Sequence, residues 1–166
     1  MRKNYALFWL AASLIFALDR VTKVWAESTL SLGESVPGIR DWYEWTLYHN
    51  TGAAGGVLSG HVEMLIFISV IAIAGILWFV HRGDHDANIW LLTGLGLMIG
   101  GALGNLFDRV CYHYVIDFID PVSEDYIYNI ADKGIRWGLY IGLFGLWRSR
   151  RRYVKEEQQN EQKVVS

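Results

Sequence analysis

The chain has a single cysteine, Cys111, so no intrachain disulfide forms. Its nearest histidine is His113, and no separate group is placed to orient that imidazole. Asp108-Arg109-Val110 ahead of it is not the small, apolar context of a lipid-modified cysteine. Cys111 therefore reads as an incidental small residue, and the chain is not itself a lipoprotein. No His, Cys and carboxylate cluster has ligand spacing, so neither a metal nor another cofactor is expected. The net charge is −2, with a basic cluster only near the end, which excludes a nucleic-acid footprint. No internal repeat is present. Charge is also missing from two long stretches, the 19 residues Ile89 to Phe107 and the 17 residues Met64 to Val80. A transmembrane helix needs about 17–25 mainly apolar residues, so these stretches outweigh an average composition that alone fits a soluble protein.

Arg2 and Lys3 precede an apolar run from Tyr5 to Leu18. It lacks a small-x-small cleavage site and continues through Asp19 to Ala26, so it reads as a first span rather than a signal peptide. Spans are expected at about 4–26, 62–81, 87–107 and 131–147. The last is the weakest, because its clean apolar core, Trp137 to Trp147, has only 11 residues. The turn at 81–86 is tight and polar. Residues 27–60 are too polar to span. Glu44 to His49 is rich in strand formers, and Pro37-Gly38 and the later glycines supply turns. The fold expected is an all-α membrane protein, four helices with a small extracytoplasmic β-rich segment. Trp42, Tyr43, Trp45 and Tyr48 suit an interfacial belt or the packing of that sheet. Residues 1–150 form one membrane domain and 151–166 a charged cytoplasmic tail, disordered or a frayed helix. With four spans the termini share a side with nine of the 15 Lys and Arg residues, including the Arg148 to Arg152 cluster. That bias puts both termini inside.

Four polar clusters then converge on the outer face. Asp19 and Lys23 lie four apart on one helix side and read as a structural ion pair, with Lys23 also able to meet a lipid phosphate. Asp108 and Arg109 read as a second structural pair. Asn105 is suited to bonding across helices, and Gly100, Gly101 and Gly104 to close packing. Asn50-Thr51-Gly52-Ala53-Ala54 is either a plain turn or a surface where a peptide lies against backbone with Asn50 bonding it; composition leaves the two level. Asp117 stands among Val115, Ile116, Phe118 and Ile119, where poor solvation raises a carboxyl pKa. Asp132 opens the last helix, where the dipole favours its charged form. Such a split suits one protonated and one ionised carboxylate sharing a water. On spacing alone, a plain capping role for Asp132 with Arg136 as its partner outweighs this.

Five pieces change the balance: Asp19-Arg20-Val21-Thr22-Lys23, Asn50 to Ala54, Gly100 to Arg109, Val115-Ile116-Asp117-Phe118 and Tyr128-Asn129-Ile130-Ala131-Asp132. In this order, on these helices, the chain resembles lipoprotein signal peptidase, the bacterial type II signal peptidase. The resemblance implies an intramembrane aspartic endopeptidase of the bacterial cytoplasmic membrane. It would cleave just before the diacylglyceryl-modified cysteine of prolipoproteins, with membrane lipid as its surroundings. It further implies that Asp117 and Asp132 are the catalytic pair, and that Asn50, Asn105, Asp108, Arg109 and Asn129 support the site or the substrate. Gly52, Ala53 and Ala54 would admit the peptide backbone. The sequence leaves the oligomeric state open. A small proton-coupled transporter would need ionisable groups along a path to the other side, and only Glu63 is available. An inactive homologue that holds lipoproteins without cutting them is the other rival.

Overall fold

The computed structural model describes residues 5–38, 42–53, 57–82, 88–123 and 126–165. Ala54 and Gly55 of the small-residue turn, and most of the polar 81–86 turn, lie outside the described residues. The elements run α1 (Tyr5–Thr29), β1 (Ser35–Pro37), β2 (Tyr43–Asn50), α2 (Val62–Arg82), α3 (Ile89–Tyr112), β3 (Val115–Pro121) and α4 (Ile130–Val165).

The helix α3 is central, packing on α1, α2 and α4. Its glycines make this possible. A Cβ at Gly94 would stand 2.5 Å from the Gly138 carbonyl oxygen of α4, and one at Gly104 would stand 2.5 Å from the Asp19 carboxylate of α1. Contacts this close, to backbone at Gly94 and to a side chain at Gly104, leave room only for glycine, the small-residue packing that membrane helices use in place of a hydrophobic drive. Asn88 caps α3, accepting from the Leu91 amide at 2.9 Å, while its own amide reaches the Gly145 carbonyl at 2.6 Å and so ties α3 to α4. Phe8, Ala12, Leu92 and Ile99 form a core between the helices.

Outside that core the helices are apolar where they are exposed. Only 6% of the most hydrophobic window of α2 is buried, against 50% of that of α3. A helix that turns Phe67, Ile71 and Trp78 outward faces lipid, not water. Among the described residues α1, α2 and α3 are long and apolar enough to cross a membrane. The first two run close to the expected spans. The third continues to Tyr112, beyond the expected end at 107, because Asp108 and Arg109 are buried inside it rather than freed at its end. The charged tail, expected to be disordered or a frayed helix, is helical: α4 continues to Val165 through a run of helix-forming Arg, Lys, Glu and Gln residues.

The sheet is antiparallel, in the order β1-β2-β3. Pairs such as Ser35 with Thr46, Tyr48 with Asp117 and Asn50 with Val115 set its register, with an irregularity between Trp45 and Tyr48. One face packs Leu47, Ile116 and Phe118 against Ala26 and Leu30 at the end of α1. Trp45 joins this core through Trp25 and Phe118, so it packs the sheet, whereas Trp42 and Tyr48 are exposed. The expectation of a strand at 44–49 is met by β2; the third strand, which carries Asp117, was not anticipated.

Candidate active site

The site forms where α1, α3, α4 and the sheet meet. Its base is a buried charge cluster. Lys23 is fully buried, and its three ammonium protons have three acceptors: Asp19 Oδ2 at 2.9 Å, Asp108 Oδ2 at 2.7 Å and Asn105 Oδ1 at 2.9 Å. Asp19 and Lys23 are thus an ion pair, as their spacing suggests. The suggestion that Lys23 meets a lipid phosphate fails, because its side chain has no exposure. Asp108 is not the partner of Arg109 either. Neighbours in a helix point about 100° apart, and Asp108 instead pairs with Lys23 and, at 2.6 Å, with Arg20. Arg109 donates to the Gly52 carbonyl at 2.9 Å, pinning the small-residue turn to α3.

Arg20 went unremarked in the sequence. The signal for it was arithmetic: two deeply placed carboxylates, Asp19 and Asp108, exceed one lysine. Arg20 supplies the second positive charge and lies over the Phe107 ring at 4.7 Å.

Above this base the two remaining aspartates are held by amides. Asp117 accepts from Asn50 Nδ2 at 2.8 Å on Oδ2 and from Asn129 Nδ2 at 2.6 Å on Oδ1. Asp132 accepts from Asn105 Nδ2 at 2.8 Å on Oδ1 and from the Asn129 backbone amide at 3.3 Å on Oδ2. The Asn129 side-chain oxygen accepts from the Asp132 amide at 3.0 Å, so Asn129 and Asp132 form a reciprocal cap at the start of α4. The capping reading of Asp132 is correct as far as it goes, and one carboxylate oxygen is left to Asn105. Asp19 accepts from the Ala131 amide at 2.9 Å, satisfying another free amide of the same helix end. Lys23 also decides which way Asn105 points. An ammonium only donates, so it takes the amide oxygen and turns the Asn105 NH2 to Asp132.

Asp117 is almost wholly buried. Its pKa is pushed up from 3.8 to about 7, first by burial and then by the charge of Asp132. Bonds from Asn50 and Asn129 and the more distant charge of Lys23 pull the other way and do not cancel the rise.

A cavity of about 250 Å³ opens over the two aspartates. Asn50, Gly52, Asn105, Arg109, Asp117 and Asp132 line its polar part, and Met98, Ile135 and Leu139 extend it along α3 and α4. Ala53 lines it too, its amide bonded to the Val57 carbonyl at 2.7 Å. Tyr126, Tyr128 and Arg136 line it as well; they come from a loop and a helix, so their meeting at one cavity was not legible in the sequence. Among the described residues no group of three or more His, Cys, Asp or Glu is arranged to hold a metal ion.

Apolar helices around a buried, amide-held acidic site define a membrane protein rather than a soluble one. Comparisons with known proteins give the rest. The family described as Signal peptidase (SPase) II matches residues 11–148. The lipoprotein signal peptidase of Nostoc punctiforme is 38% identical over 144 residues, covering 86% of this chain and 90% of that protein. That of Gloeobacter violaceus is 40% identical over 149 residues, 87% of this chain and 84% of that one. A bacterial membrane enzyme solved by the in meso method at 2.3 Å resolution superposes with a TM-score of 0.77 at 32% identity, covering 85% of this chain and 87% of that one. The chain belongs to the signal peptidase II family, a family of aspartic proteases, and is a bacterial membrane protein.

Proposed function

We propose that this enzyme removes signal peptides from lipid-modified prolipoproteins, cleaving just before the diacylglyceryl cysteine, with Asp117 and Asp132 as its catalytic pair. The observation that carries this reading is the shared hold of Asn129 on both carboxylates, which keeps two acids at one cavity. Asp117, its pKa raised to about 7, is the member of the pair that carries the proton below that pH. Asp132 takes a proton from water as that water attacks the scissile carbonyl, and Asp117 gives its proton to the carbonyl oxygen. The tetrahedral species then collapses: Asp132 passes the proton it took to the leaving amine as the C–N bond breaks, and Asp117 takes back the hydroxyl proton as the carbonyl re-forms. Arg109, Asn50 and Asn129 stiffen the surroundings through Gly52 and Asp117.

In this reading α4 is the fourth span. Asp132, Lys133 and Arg136 then lie at its outer end, and the Arg148 to Arg152 cluster at its inner end supports both termini in the cytoplasm. The sheet and the aspartates then lie at the extracytoplasmic face. Two acyl chains hold the scissile bond at a fixed depth there, the positioning that a long cleft gives a soluble protease.

The test is cleavage by the purified protein of one prolipoprotein with and without its diacylglyceryl group. The lipidated form is released as mature lipoprotein and signal peptide at least about a hundredfold faster. No cleavage of either form would sink the peptidase reading, and equal rates would sink its dependence on lipid.

The pH profile follows from Asp117. A carboxyl whose pKa in the folded protein is raised keeps its proton below that value and loses it above. Cleavage therefore declines as pH rises through about 7, the pair titrating as a unit. Rates measured from pH 5 to 9 check this; a rate flat across that range would mean no proton is held there.

A further inference from the structure

The inner end of α4 carries a second, small cavity of about 60 Å³, lined by Asn88, Arg148, Ser149, Arg152, Tyr153 and Glu156. Asn88 joins the start of α3 to α4 there, donating to the Gly145 carbonyl at 2.6 Å and to Ser149 Oγ at 2.7 Å. Arg148 and Arg152 stand four apart on one side of α4, about 6 Å along its axis, and both reach this cavity. Among the described residues neither guanidinium makes a hydrogen bond, ion pair or ring contact, whereas Arg151 between them lies over the Trp147 ring at 4.4 Å. Glu156 is the one acid in the lining, and it forms no ion pair with Arg152. Two arginines against one glutamate leave the cavity with surplus positive charge.

What lies one turn deeper decides which anion fits. Phe144 precedes Arg148 by four residues on the same side of α4, and Trp90 follows Asn88 by two on α3. Trp90 and Phe144 meet edge to face at 5.5 Å, and Phe144 and Trp147 lie 5.8 Å apart. The three rings are 40%, 44% and 50% exposed. An unpaired basic cavity thus stands directly above an open aromatic strip that runs across two helices. A free phosphate would use only the upper half of this arrangement. An amphiphile with an anionic head and a hydrocarbon tail uses both.

Taking α4 as the fourth span, we infer that this cavity binds one anionic phospholipid of the surrounding leaflet, with its phosphate between Arg148 and Arg152 and an acyl chain along Trp90 and Phe144. Phosphate oxygens only accept and guanidinium groups only donate, and the planar fork of arginine matches two oxygens at once. Such a lipid touches α3 and α4 together. It therefore adds to Asn88 in joining the two helices whose other ends carry Asn105 and Asp132.

The purified full chain in non-ionic detergent is titrated with four probes, and bound molecules are counted by native mass spectrometry. The probes are phosphatidylglycerol, phosphatidylcholine, glycerophosphoglycerol (the head group without chains) and inorganic phosphate. One phosphatidylglycerol binds about tenfold more tightly than phosphatidylcholine, and the two chainless probes bind more weakly still. Arg148→Gln with Arg152→Gln weakens phosphatidylglycerol about thirtyfold, the combined effect of two arginines at an anionic surface. Arg150→Gln with Lys155→Gln removes the same charge outside the cavity and changes the affinity by less than about threefold, because solvent and salt screen exposed charges at a distance. Equal losses in the two double variants would reduce the cavity to a diffuse basic surface and overturn the inference. Equal affinity for phosphatidylcholine would overturn it too. So would inorganic phosphate or glycerophosphoglycerol bound as tightly as the lipid, which would make this a phosphate site. Both double variants keep the parent's cleavage of a lipidated prolipoprotein in detergent, which checks their folding. If the first loses its fold instead, the order of the four affinities in the parent still decides.

Discussion

Asp117→Asn and Asp132→Asn each lower cleavage at least about a thousandfold while the protein still folds and inserts. The division of labour makes both losses severe. With an amide at position 117 no proton is available for the carbonyl oxygen; with one at 132 nothing takes the proton from water. The amide surroundings make folding survive. Asp117 lies between two amide donors, Asn50 Nδ2 and Asn129 Nδ2. An Asn there still accepts one of the bonds with its oxygen and loses the other. At position 132 the bond from Asn105 survives in the same way. Cleavage of a lipidated prolipoprotein, with size-exclusion elution and thermal unfolding in detergent as controls for folding, checks the prediction. Near-parental turnover in either variant would remove that residue from the mechanism.

Lys23→Met is the variant with the largest effect on stability. Removing one partner of a buried ion pair costs about 3–5 kcal/mol, because the charge left behind is neither solvated nor matched. Here one ammonium serves two carboxylates and an amide, all buried. Its removal leaves Asp19 with the Ala131 amide and a distant Arg20 Nε at 3.8 Å, and Asp108 with Arg20 at 2.6 Å and the Ile116 amide. It also frees Asn105 to turn its oxygen toward Asp132, so the activity of whatever protein folds falls too. Adding Asp19→Asn to Lys23→Met recovers part of the stability, because one stranded charge goes while an amide oxygen still accepts from the Ala131 amide. Thermal unfolding of the detergent-solubilised proteins measures both steps. A Lys23→Met protein as stable as the parent would show that the cluster does not hold the helices together.

The two variants act at different levels of one construction. Lys23, Asp19 and Asp108 join α1 to α3 and, through Ala131, to the start of α4. Asn105 and Asn129 pass that rigidity to the aspartates. Each hydrogen bond is ordinary in length, and what is unusual is that nearly every member is satisfied by another member. In a site walled off from water, a half-satisfied network costs more than none. Glycines at 100, 101 and 104 permit the helices to approach closely enough for these short side chains to meet.

The sequence by itself determined what depends on near neighbours. Charge-free runs of membrane length gave α2 and α3, an apolar run without a cleavage site gave α1, and a four-residue spacing paired Asp19 with Lys23. The apolar surroundings of Asp117 foretold its raised pKa. The capping habit of Asp132 was legible from its place at a helix start, and the glycines of α3 announced close packing. Tertiary structure alone decided the rest, because it depends on residues far apart in the chain. Asp108 looked outward to Arg109 in sequence, but it meets Arg20 and Lys23 across 88 and 85 positions, and helix geometry turns it away from its neighbour. Composition left Asn50 between a plain turn and a peptide contact; it bonds Asp117, because β2 and β3 pair in a register that sequence pattern does not reveal. Lys23 looked able to reach lipid, and burial among three helix ends gives its charge to the protein interior instead. Periodicity reports which face of an element is apolar. Which partner that face meets is set only when the chain closes its long loops and every buried charge must find a match.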